Sequence, residues 1–221
     1  METTARIISI EQLTHDVRQI RCEKPAGYSF EPGQATELSI NRDRWREEKR
    51  PFTFTSHADD PWLEFVIKIF PSHGGVTNEL GNARAGEELL FGEPWGTIEY
   101  RGPGYFIAGG AGITPFIAIL RHLRNEGALA GNRLLFSNKT ERDIILQQEL
   151  TDMLGDDAVY TVTGEPGSRF NRGMIDEAFL RREVADFSRP FYVCGPPPMV
   201  SALEATLLRL GASADKVVFE R

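Results

Sequence analysis

The chain holds 221 residues, 41% hydrophobic and 26% charged, an ordinary globular mix that excludes a fibre or a disordered tail and leaves room for two small domains or one large one. Its formal net charge of −7 argues against non-specific nucleic-acid binding and against docking on anionic lipid. No apolar run reaches the length of a membrane span, the opening METTARIISIEQ lacks the plan of a signal peptide, and 2 cysteines with 4 scattered histidines make neither a disulfide framework nor a metal, iron–sulfur or haem site. The expectation is a reduced, cytoplasmic chain whose redox chemistry, if it has any, needs a bound organic cofactor.

Short β-rich runs fill the first hundred residues, at 5–13, 17–23, 36–40, 52–55 and 62–70, separated by punctuation such as KPAG, EPGQ and PSHGG. In TELSI, Leu38 and Ile40 alternate with polar neighbours, the period of a half-buried strand. Strands at this spacing predict a small antiparallel β-barrel. The stretch GTIEYRGPG reads as a hinge, dividing the chain into residues 1–99 and 100–221.

Beyond the hinge, strands at 105–108, 134–136, 159–162, 191–194 and 217–219 alternate with helical patterns starting at Thr114, at 144–154, at 174–180 and after PPP. Thr114 is expected to cap its helix with Pro115 at the first position, and Gly127 to stop it. Such alternation predicts an α/β domain with a doubly wound parallel sheet, which binds ligands where the strand order reverses.

Four segments carry chemistry. In RPFTFTS, Arg50 offers a donor fork suited to phosphate, Pro51 precedes the flat apolar ring of Phe52, and Thr53 and Thr55 share one side of a strand; a plain edge strand is the alternative. In HGGVTNEL, Gly74 and Gly75 permit close backbone approach, and the amides of Gly75, Val76 and Thr77 could face a diphosphate; the alternative is a turn capped by Thr77. GGAGITP departs from G-x-G-x-x-G, yet Gly109, Gly110 and Gly112 still let a ligand approach a strand end. CGPPPM places Cys194 and Gly195 at another strand end, followed by Pro196 and Met199; a lone buried cysteine is also ordinary packing.

In this order and spacing the four segments resemble the ferredoxin–NADP reductase superfamily across essentially the whole chain. LLFSNKTERDIILQQEL and FVIKIF are similar to stretches of the cytochrome b5 reductases. The resemblance implies an FAD-binding barrel (1–99) and an NAD(P)-binding domain (100–221). Arg50 would pair with the FAD diphosphate beside Gly74, Gly75, Val76 and Thr77. Phe52 would pack on the isoalloxazine, where the family usually has tyrosine, and Thr53 would hydrogen-bond near N5. Main-chain groups of Ile67 and Ile69 would hold the ring, with Lys68 turned toward the incoming nucleotide. Gly110, Gly112, Thr114 and Pro115 would form the nicotinamide loop, and Cys194, with Gly195, Pro196 and Met199, would shield the nicotinamide. Glu220 resembles the family's C-terminal acid, suited to proton supply, though a solvated terminal charge is the plainer reading; the chain stops at Arg221 where many members add an aromatic lid.

The nucleotide ribose should approach Ser137 and the residues after it. Asp143 resembles the acid that favours NADH by repelling a 2′-phosphate, so NADH is expected slightly ahead of NADPH, although Lys139 and Arg142 pull the other way and Thr140 with Asp143 also reads as a capping box. Thr53, Cys194 and Glu220 are the expected catalytic residues, with no metal. The implied activity is an FAD-dependent NAD(P)H oxidoreductase serving a separate acceptor: a small electron-carrier protein such as a flavodoxin, ferredoxin or cytochrome. A reductase of small diffusible acceptors and a non-catalytic flavin-binding regulatory subunit are the alternatives. Arg42, Arg44, Arg46, Lys49 and Arg50 form a candidate docking patch, diluted by Asp43, Glu47 and Glu48.

Overall fold

The computed structural model describes residues 3–96 and 98–219. Its first half is one antiparallel sheet of β1 (Thr3–Thr14), β2 (Val17–Glu23), β3 (Ala35–Ile40), β4 (Arg50–Thr53), β5 (Trp62–Lys68) and β6 (Glu88–Phe91), in the order β4-β3-β6-β1-β2-β5. A bridge between Phe54 and Phe65 joins the two edge strands, closing the sheet into the expected barrel. Alternation aims Ile7, Ile20, Leu38, Phe54, Phe65 and Phe91 at one core, where Phe54 stacks on Phe30 at 4.3 Å between ring centres. The strand ELLF, too short to display a period, was not anticipated; it gains its ladders from β1 and β3. Helix α1 (Val76–Gly81) lies between β5 and β6, with Gly75 as its N-cap; Thr77 sits inside the helix, not at its cap.

The second half is a sheet of β7 (Tyr105–Gly109), β8 (Arg133–Asn138), β9 (Ala158–Val162), β10 (Asn171–Arg172), β11 (Phe191–Cys194) and β12 (Val217–Phe219), all parallel, in the order β10-β9-β8-β7-β11-β12. Helices α2 (Thr114–Asn125), α3 (Gln147–Leu154), α4 (Glu177–Glu183) and α5 (Pro197–Arg209) fall between the strands. Alternate strand residues feed two cores: Phe106, Phe136 and Tyr192 pack with Phe116 of α2, while Ile107, Leu135 and Val193 pack with Phe179 of α4 and Leu207 of α5. This is the doubly wound sheet that the alternation predicts. The two halves form the two-domain architecture expected.

Three helix starts differ from the sequence pattern. Residues 144–154 do not form one helix: the Thr140/Asp143 capping box serves the 3-10 turn Glu141–Asp143, and Leu146 is left-handed (φ 50°), so α3 begins at Gln147. Helix α4 begins three residues later than expected because Asp176 caps it, accepting from the Phe179 amide at 2.8 Å. Thr114 is the first helical residue of α2 rather than its cap; Ile113 takes the cap position and the Thr114 hydroxyl donates to the Ala111 carbonyl at 3.1 Å.

The connector is no open hinge. Ile98 is buried, and Tyr100 stacks on Phe106 and Tyr192. The Arg101 amide donates to the Tyr192 hydroxyl at 2.8 Å, and that hydroxyl donates to the Gly102 carbonyl at 2.7 Å. No helix among the described residues is long and apolar enough to cross a membrane.

Candidate functional site

The order of the parallel sheet reverses between β7 and β11, and the loops leaving their carboxyl ends floor a cavity of about 690 Å³. The barrel supplies the opposite wall, through β4 and β5. Two backbones meet closely in the floor: a Cβ on Gly112 would lie 2.4 Å from the Cys194 carbonyl oxygen and 2.6 Å from the Gly195 nitrogen. Gly110, with φ +53°, instead faces open space.

Most of the expected residues gather here. Pro51, Phe52, Thr53, Ile67, Lys68 and Thr77 line the barrel wall. Gly110, Gly112, Thr114, Ser137, Asp143, Cys194, Gly195, Pro196 and Met199 line the opposite one. Arg50, Ile69, Gly74, Gly75, Val76 and Pro115 do not line it. The exposed Arg50 guanidinium donates to the Lys49 carbonyl at 2.6 Å and faces Glu48 at 3.6 Å. Val76 and Pro115 are buried in packing, Ile69 packs under Gly81, and a Cβ on Gly74 or Gly75 would meet nothing within 4 Å. Glu220 lies outside the described residues.

Lys139, expected near the ribose, lies in this wall, whereas sequence reasoning did not single out Val66, Phe70, Ala111, Asn138 or Thr163. Asn138 and Thr163 follow from one rule that could have found them, since both sit at carboxyl ends of parallel strands.

Charge runs across the mouth from one half to the other. Lys68 pairs with Asp16 at 2.8 Å. Burial pushes the Asp16 carboxyl up, but Lys68 and Thr14 outweigh it and hold the group below its usual range. His15, beside Asp16 in the β1–β2 turn, places Nδ1 3.5 Å from Asp143 Oδ1. The other Asp143 oxygen accepts from the Thr140 amide at 2.8 Å and hydroxyl at 2.7 Å, so this carboxylate both caps a turn and borders the cavity. In the candidate docking patch Arg42 is held by Glu79 and Glu87, and Arg46 lies 4.0 Å from Asp43, so much of its charge is met locally.

The donor set suits a dinucleotide. Phe52, Val66, Ile67 and Met199 give an apolar slot for flat rings, flanked by Lys68 and Lys139 for anionic groups. The side chain of Asn138, 5% exposed, has neither amide atom hydrogen-bonded among the described residues, a cost that a polar ligand group would relieve.

The model of the oxidoreductase FAD-binding domain matches residues 4–100, and that of the oxidoreductase NAD-binding domain matches residues 106–205. The reductase component of propane 2-monooxygenase from Rhodococcus jostii is 28% identical over 239 residues; the match takes in 100% of this chain and 63% of that protein, so the chain spans less than two thirds of its length. NADH-cytochrome b5 reductase 2 of Homo sapiens is 25% identical, with 96% of this chain and 91% of that one covered. Among solved structures, the ferredoxin reductase of carbazole 1,9a-dioxygenase superposes with a TM-score of 0.85 at 26% identity, over 100% of this chain and 69% of its own.

Proposed function

We propose, for a chain that belongs in both halves to the ferredoxin–NADP reductase superfamily, that it is an FAD-dependent NAD(P)H oxidoreductase passing electrons to a separate carrier protein. One observation carries this reading: a single cavity is walled by the barrel on one side and by the reversal point of the parallel sheet on the other, so two cofactors bound by different halves share one space. FAD, when bound, accepts a hydride and releases electrons singly, which is chemistry no side chain here supplies.

The protein's part is to bind, orient and exclude water. Phe52 offers a ring for stacking and the buried Thr53 a hydroxyl beside it. Main-chain groups of Ile67 and Ile69 hold the flavin edge. Thr77, the loop Gly74, Gly75 and Val76, and Arg50 serve the diphosphate, and the first turn of α1 has no side-chain cap to compete with it. Gly110 and Thr114 border the nicotinamide, backed by Gly112, which lets the two loops touch, and by the buried Pro115, with Cys194, Gly195, Pro196 and Met199 on its far side. Lys68, Ser137 and Asp143 face the nucleotide, and Glu220 supplies a proton. We place the domain boundary at 99/100 and the protein in the cytoplasm, in keeping with two buried cysteines outside any disulfide. A protein carrier is favoured over a small acceptor because one relative is the reductase component of propane 2-monooxygenase and another an NADH-cytochrome b5 reductase.

Two measurements test this. The purified protein should show flavin bands, with about one FAD per chain, that bleach on adding NADH under argon; a folded, colourless protein that refuses added FAD overturns the reading. Asp143 in the cavity wall should repel a 2′-phosphate, so kcat/KM for NADH should exceed that for NADPH about fivefold, roughly 1 kcal/mol. A preference for NADPH would refute the role given to Asp143.

A further inference from the structure

Arg121 lies two helical turns after Thr114 on α2, and its guanidinium crosses from the nucleotide half into the barrel. Nη1 donates to the Thr55 carbonyl and to Glu64 Oε1, each at 2.6 Å. Nε and Nη2 grip both oxygens of Glu149 on α3 at 2.6 and 2.9 Å. Glu64, 1% exposed, also accepts from the Thr55 hydroxyl at 2.9 Å and, through its second oxygen, from Arg21 Nε at 2.9 Å. Two carboxylates thus meet two guanidiniums, with no net charge left over.

Each segment gripped here continues into a cavity wall. Thr55 is two residues beyond Thr53, Glu64 is two before Val66 and three before Ile67, Thr114 opens the helix that carries Arg121, and Glu149 follows the Asp143 turn. An ion network built around a buried carboxylate gains little stability over well-packed apolar residues, but its directional hydrogen bonds fix an angle between the elements they join. Only a planar fork with several donors can hold all of these acceptors together; a lysine ammonium cannot.

We infer that Arg121 is a positioning residue for hydride transfer, locking the nicotinamide wall against the flavin wall through Thr55, Glu64 and Glu149. This rests on the oxidoreductase reading above. The test uses the FAD-loaded full chain with Arg121→Lys. FAD content and the Kd for NADH should stay within about twofold, while the limiting rate of flavin reduction falls by about tenfold to a hundredfold, because small misplacements are costly in a near-attack geometry. Amide hydrogen exchange should quicken across residues 62–68 and 114–121 together. A limiting rate within twofold of wild type overturns the inference, since a merely structural contact would leave the chemical step alone. Should Arg121→Lys lose FAD, Glu149→Gln decides on the same criteria: a clear fall in limiting rate at unchanged Kd supports the role, and an unchanged rate overturns it. If wild type itself is not reduced by NADH, the oxidoreductase reading fails separately, and exchange in Arg121→Lys alone decides; unchanged exchange at both segments sinks the lock.

Discussion

Gly112→Ala should destabilise the protein by about 2–3 kcal/mol, because the added methyl group over-packs a site where two backbones already touch. Its Cβ would stand 2.4 Å from the Cys194 carbonyl oxygen, 2.5 Å from the carbonyl carbon and 2.6 Å from the Gly195 nitrogen, and none of these can rotate away as a side chain would. The loops after β7 and β11 must then part, and they are the floor of the cavity. For a chain of this size the loss corresponds to a fall in Tm of roughly 5–10 °C. Gly110→Ala is the control: its Cβ would meet nothing, so the cost is that of a left-handed alanine, about 1–2 kcal/mol. Thermal melts of the two variants distinguish the readings. If Gly112→Ala melts no lower than Gly110→Ala, the close approach of the loops is not what demands glycine there.

Glu64→Gln should cost about 1–2 kcal/mol and flatten the acid side of the stability profile, since Arg121 and Arg21 lose a charged acceptor although Arg121 keeps Glu149. Burial alone would raise the Glu64 carboxyl, but Arg121, Arg21 and the Thr55 hydroxyl outweigh it and hold the group below its ordinary 4.5. A carboxyl lowered in the folded state stabilises above its unfolded value and loses that contribution as pH falls through the folded one. Wild-type stability should therefore decline from about pH 4.5 downward. Asp16 and Glu87, also held below their ordinary values, add to this decline. Denaturant unfolding of both proteins between pH 3 and 7 measures the difference. Parallel acid limbs would show that Glu64 titrates alike in the folded and unfolded chains.

Much of the fold was legible because its elements are locally specified. Strands β2, β11 and β12 end where the apolar runs and their breakers place them. The cleft was legible through its loops, since Phe52 and Thr53, Gly110 and Gly112, and Cys194 and Pro196 lie in short segments whose composition is itself unusual. What escaped depends on long-range partners. ELLF becomes a strand only between β1 and β3. The helix at 144–154 yielded its first turn to a capping pair that the sequence displayed but whose reach was misjudged. Arg121 and Glu64 sit in a helix and a strand that the sequence displays, but they are 57 residues apart, so only the packing of α2 on the barrel makes their pairing visible.

The Tyr192 hydroxyl, holding the connector at Arg101 and Gly102 from within the parallel sheet, has a mechanical consequence. Because it ties residues 100–102 to the second half, any swing of that half away from the barrel must pivot ahead of Tyr100 and break the hydrogen bonds of Arg121 to Thr55 and Glu64. The opening between barrel and sheet is thus a preset aperture rather than a jaw. What enters it is selected by shape and charge on arrival, with little remodelling of the walls afterwards.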